Sequence, residues 1–196
     1  MRVDVVFEPA EASDCLEIPW ESADPENRYF DLRENPGALE RLEAARRHRP
    51  LRSFLAAVNS ADSLFSTARS KAWLRQEHGS SPASDVDSCE FASRVDLMFA
   101  SEAFNLEWAH YDALARRLEE LLTRDPSPDT LGAELRVHPC RFRAPGRPGF
   151  YLRILLSARG ATPEQAELRW GLGLARIQQA LLFSSRLLRQ QIGQAS

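Results

Sequence analysis

The run Phe150-Tyr151-Leu152-Arg153-Ile154-Leu155-Leu156-Ser157-Ala158-Arg159 decides the fold, because of what flanks it. Upstream lies a second β-like run, Ala133 to Arg143, joined to it by Ala144-Pro145-Gly146-Arg147-Pro148-Gly149. A short Pro/Gly connection between two such runs is a hairpin, and a hairpin forces antiparallel pairing. Downstream, Thr162-Pro163-Glu164-Gln165 is a capping box with proline at the first helical position. It opens a helix expected to run to about Ile192, with Leu168, Leu172, Leu174, Ile177, Leu181, Leu182, Leu187 and Leu188 on a broad apolar face. Gly171 and Gly173 would each cost up to about 1 kcal/mol relative to alanine inside a helix. Close approach to a sheet or to another helix is the compensation their positions imply.

Working outward, residues 2–8 alternate, with Val3, Val5 and Phe7 on one side, which is the period of a half-buried strand. The alternation returns from Cys89 to Phe99, where Ser93 is the polar exception among Cys89, Phe91, Val95, Leu97 and Phe99. Asn105 to Thr123 has the stripe of an amphipathic helix. Asn35-Pro36 caps and starts another helix to about His48, and Arg49-Pro50 breaks it. A further helix is expected from Pro50 to about Glu77. Residues 9–35 carry three prolines and no clean period, so they read as an irregular arm anchored by Ile18, Trp20, Tyr29 and Phe30. Residues 79–87 read as a flexible loop.

The expectation is a single domain over 1–196, of α+β class. It has two layers: an about four-stranded, mostly antiparallel sheet with helices packed on one face, and a long C-terminal helix. In this layout the chain resembles small acidic α+β proteins such as the type III secretion chaperones. The resemblance is one of layout, carried by no motif, and it implies partner binding rather than catalysis.

Composition narrows the function classes. With 43% hydrophobic and 27% charged residues the chain is an ordinary folding sequence, not a disordered one. A net charge of -3 removes the generic electrostatic case for nucleic-acid binding. The N-terminus, Met1-Arg2-Val3-Asp4, has neither the apolar core of a secretory signal nor the pattern of a transit peptide, and no apolar run reaches the length of a membrane span. Cys15, Cys89 and Cys140 are odd in number and widely spaced, which fits free thiols in a reducing compartment. The expected location is therefore cytoplasmic.

The search for chemistry returns little. There is no phosphate loop, dinucleotide fingerprint or paired-cysteine zinc site. Glu107 and His110 share metal-site spacing but lack a second copy, and His138-Pro139-Cys140 lacks further neighbouring ligands. No catalytic residue, cofactor or metal is assigned. Arg2, Arg94, Arg136, Arg153 and Arg159 fall on the outer face of the expected sheet, together with Asp4, Glu90, Asp96 and Glu134, which reads as cross-strand ion pairing.

Two features remain. Placed on a helix, Asn59, Ser60, Ser63, Ser66, Thr67, Ser70 and Lys71 share one arc, where small hydroxyls suit close packing or a confined polar site. Lys71 is the only lysine beside 24 arginines. Second, the C-terminal helix has too broad an apolar face for one sheet to cover, leaving Phe183, Leu187 or Leu188 outward unless Trp20 and the arm fold over them. The leading expectation is a non-enzymatic interaction or chaperone-like module, a homodimer with a possible protein partner, without nucleic acid or membrane. The alternative is an enzyme or small-anion-binding protein with a polar site of Asn59, Ser60, Ser63, Thr67 and Lys71.

Overall fold

The computed structural model describes residues 1–6, 15–22, 29–77, 88–124, 130–143 and 146–194. The loop expected at 79–87 lies outside them, as do parts of the arm. The strands are β1 (Arg2–Val6), β2 (Leu16–Ile18), β3 (Phe65–Glu77), β4 (Ser88–Phe99), β5 (Leu131–Phe142) and β6 (Pro148–Gly160). The helices are α1 (Glu43–Arg47), α2 (Arg49–Val58), α3 (Glu102–Asn105), α4 (Trp108–Thr123) and α5 (Pro163–Gln194), with a 3-10 turn over Pro36–Arg41.

The α+β class holds, but the sheet differs from expectation. It has six strands and is mixed, in the order β1-β5-β6-β4-β3, with β2 also on β5. The hairpin β5–β6 is antiparallel as expected; β4–β6 and β3–β4 are antiparallel too, and β1 and β2 both run parallel to β5. β2, three residues long, is too short to show a period, and alternation in β1 says nothing about the direction of its neighbour.

The larger correction is β3. The helix expected over Pro50–Glu77 ends at Val58, and the second half of that segment is a sheet-edge strand. The stop is made by side chains that compete for backbone partners, as Asn, Ser and Asp do. Asn59 Nδ2 donates to the Leu55 carbonyl at 2.8 Å, Ser60 Oγ to that of Ala57 at 2.8 Å, and Ser63 Oγ accepts the Phe65 N–H at 3.1 Å. No helical face runs from 59 to 71.

Helices α2, α4 and α5 share one core with the sheet face that bears Val95, Leu97, Leu135, Val137, Leu152, Ile154 and Leu156. Ser93, the polar exception, lies on this face because the fully buried Trp170 of α5 donates its indole N–H to the Ser93 hydroxyl at 2.8 Å. At the glycines of α5, side chains of the sheet and of α2 press against the helix backbone. A Cβ on Gly173 would lie 2.8 Å from Leu131 Cδ1 and 3.1 Å from Leu156 Cδ1, and one on Gly171 would lie 3.1 Å from Pro50 Cγ. The capping box forms in part: Gln165 N–H donates to Thr162 Oγ1 at 3.2 Å, while the Gln165 side chain accepts from Ala161 N–H at 2.7 Å.

The opposite sheet face carries a smaller cluster in which Ile18 and Tyr29 of the arm meet Met98, Cys140, Phe142 and Tyr151. Trp20 packs edge-on against Tyr29, with ring centroids 5.3 Å apart. These described parts of the arm therefore sit across the sheet from α5 and do not cover its apolar residues.

Candidate functional site

Two clefts, one on each side of the molecule, concentrate side chains that could receive a ligand. The first lies in the helical layer, where the C-terminal half of α5 overhangs α4. It has a volume of about 480 Å³ and is lined by Leu64, Phe99, Phe104, Leu114, Leu187 and Leu188, with His110, Arg117 and Glu120 at its rim. Asn105 fixes its floor: its side chain accepts the Phe99 N–H at 2.8 Å and donates to the Phe99 carbonyl at 2.9 Å. Tyr111, fully buried, donates its hydroxyl to Asn105 Oδ1 at 2.6 Å. Rim charges are neutralised locally, since Glu120 lies 3.4 Å from Arg117 and 2.5 Å from Arg124. The cleft is thus a rigid, mainly apolar trough without an unpaired charge at its base.

The second cleft, also about 480 Å³, runs along the outer side of β3. Thr67 to Lys71 form one wall with Arg94, and Leu16, Trp20, Phe30, Leu32 and Leu42 form the other. The β3–β4 register slips between Thr67 and Ser70, and this bulge re-aims the chain at Arg69. Arg69 Nε then donates to Asp96 Oδ2 at 2.8 Å, while Arg153 Nε donates to Asp96 Oδ1 at 2.8 Å. The Asp96 side chain is fully buried between them. Tyr151 closes the network by accepting from Arg153 Nη2 at 2.8 Å.

Elsewhere on this face Arg75–Glu90 pairs across strands at 3.4 Å, whereas Arg2–Asp4 at 3.1 Å and Arg136–Glu134 at 2.8 Å pair within a strand rather than across strands as expected. Arg94 is different. Its Nε is buried and has no hydrogen-bond partner among the described residues, and its cross-strand neighbour in the register is Lys71. Burial lowers the Arg94 pKa, with Asp96 opposing and Arg153 and Arg69 adding to the shift. His138 stacks on Tyr151 at 5.2 Å and is lowered to about 4, chiefly by burial and then by Arg153. Burial pushes the Cys140 thiol up to about 12, so it is not poised as a nucleophile.

The residues singled out from sequence are dispersed. Asn59, Ser60 and Ser63 are hydrogen-bonded within the α2–β3 turn, and Thr67 is tied to Asn59, while Thr67, Ser70 and Lys71 reach the second cleft. Leu187 and Leu188 line the first cleft, Phe183 is 46% exposed, and Trp20 belongs to the second. Ser184 and Ser185 serve the fold: Ser184 Oγ donates to the Ala180 carbonyl at 2.8 Å and Ser185 Oγ accepts the Leu64 N–H at 3.2 Å. Sequence reading missed Arg69 as a site residue because a helix there would have pointed it away from Asp96. It missed Leu64, Phe99 and Phe104 because their convergence on α5 is purely tertiary.

No described helix is long and apolar enough to cross a membrane. No protein-family model matches the chain, and neither a curated protein nor a solved structure does.

Proposed function

We propose that the protein is a non-enzymatic interaction module that binds apolar side chains of another polypeptide in the trough between α4 and α5, a second copy of the chain being the first candidate. The trough itself carries this reading: about 480 Å³ lined by Leu64, Phe99, Phe104, Leu114, Leu187 and Leu188, with Phe183 exposed beside it. A volume in this range suits two or three large side chains, and aromatic and aliphatic anchors in such a trough are the usual source of binding energy. The side chains that hold the trough open are satisfied within the chain, so a partner would gain apolar burial without disturbing a polar network.

Light scattering coupled to size exclusion tests the reading. A mass near twice 22.1 kDa that falls to the monomer value in Leu188→Glu, with helical circular dichroism unchanged, is the expected result. A concentration-independent monomer that also fails to enrich apolar or amphipathic sequences from a displayed peptide library would refute it.

A further inference from the structure

We infer that the cleft along β3 is a binding site for an amphiphilic organic anion, a carboxylate, sulfonate or phosphate head on an apolar body. The cleft holds two cations that no described residue pairs with. Lys71 and Arg94 face each other across β3 and β4, and like charges directly opposite destabilise a strand pair. No hydrogen bond or ion pair joins either to another described residue. The neighbouring carboxylates are already engaged: Asp96 by Arg69 and Arg153, Glu90 by Arg75, and Glu43, the acid lining the cleft, by Arg47 at 2.5 Å. Arg69, Arg94 and Arg153 thus gather around the buried Asp96, with Lys71 opposite Arg94.

Among the described residues, no carboxylate pairs with Lys71 or Arg94. An incoming anion would supply the missing acceptor for Arg94, whose planar fork suits a carboxylate or oxyanion. Its two clamped neighbours keep the positive field fixed in place, so little reorganisation accompanies binding.

The other wall selects what carries the charge. Trp20, Phe30, Leu16, Leu32 and Leu42 present aromatic and aliphatic surface opposite the cations. Arg69 already lies over the Trp20 ring, its Cζ 5.9 Å from the centroid, which joins the cationic side to the apolar side. At about 480 Å³ the cleft has room for a body of drug-like size, far more than an inorganic anion fills. This site lies at the β3 edge of the sheet and shares no lining residue with the α4–α5 trough.

Isothermal titration at low ionic strength with 2-naphthoate, decanoate and inorganic phosphate tests the inference, the first two separating an aromatic from an acyl body. One-site binding of naphthoate or decanoate is expected, weakened at least tenfold by Lys71→Glu and by Arg94→Gln and recovered in part by Arg94→Lys. Lys71 is exposed, so its variant leaves the fold intact if Arg94→Gln does not. Absence of binding by either organic anion at millimolar concentration overturns the site. Binding that neither substitution weakens overturns it as well, and phosphate binding as tightly as both organic anions overturns the role given to the apolar wall.

Discussion

Asn59 and Thr67 are bound to each other twice: Asn59 Nδ2 donates to Thr67 Oγ1 at 2.8 Å, and the Thr67 N–H donates to Asn59 Oδ1 at 2.9 Å. Both residues are buried. This clasp turns the chain from the end of α2 into the edge strand. Asn59→Ala would leave the Thr67 N–H and hydroxyl without these partners, at about 1–3 kcal/mol for each buried group left unsatisfied, while the Leu55 carbonyl keeps the residue-59 N–H. Ser60→Ala, at a half-buried hydroxyl bonded to one carbonyl, should cost under about 1 kcal/mol. Urea denaturation of the two variants checks the ranking, and equal losses would mean that the clasp does not organise the turn.

The same clasp explains which parts of the fold could be read in advance. The β5–β6 hairpin, β4, α4 and α5 carry their own signals, such as Pro/Gly connections, alternation and the Thr162 cap. The α2–β3 junction carries neither glycine nor proline, and Phe65, Ala68 and Ala72 match a helical stripe as readily as a strand. What decides it is the pairing of β3 with β4, a contact between distant segments. The apolar trough was half legible, through Leu187 and Leu188. The cationic cleft was legible only as its isolated members Lys71, Arg94 and Trp20.

Asp96 holds the outer face together. Its carboxylate is fully buried and hydrogen-bonded by two arginines whose side chains are themselves 30% and 18% exposed. Removing one partner of a buried pair costs about 3–5 kcal/mol, because the remaining charges lose their compensation. Asp96→Ala should reach that range, since Arg69, Arg94 and Arg153 would then repel one another. A chemical denaturation midpoint close to that of the wild type would show that solvent compensates these arginines.

His138 gives the protein an acid-side sensitivity. Burial, then the charges of Arg153, Arg136 and Arg69, lower its pKa to about 4 against the partial opposition of Asp96. The unfolded chain takes up this proton near pH 6.5, the folded chain only near 4, so between those values the unfolded state binds more protons. Stability from this residue is therefore present above pH 6.5 and is lost as pH falls toward 4. His138→Gln should flatten the stability profile over that window and leave the alkaline side unchanged. A variant profile parallel to the wild type from pH 7 to 4 would remove His138 as the source.

Self-association through α5 leaves a signature in stability as well as in mass. Leu168, Leu172 and Phe183 are 66%, 60% and 46% exposed. At about 100° per residue they fall within an arc of roughly 60°, so all three point away from the sheet. Single exposed leucines are ordinary, but a phenylalanine beside an apolar trough is the arrangement that marks an interface. If two copies meet there, folding is linked to association, and the melting temperature rises with protein concentration. Phe183→Ser also removes its covered half, so in a monomer it should cost about 1–2 kcal/mol at every concentration. In a dimer it should abolish the concentration dependence and lower the melting temperature most at high concentration. Thermal melts of both proteins across a hundredfold concentration range separate the outcomes, and a wild-type melting temperature that stays constant over that range would exclude the α5 interface.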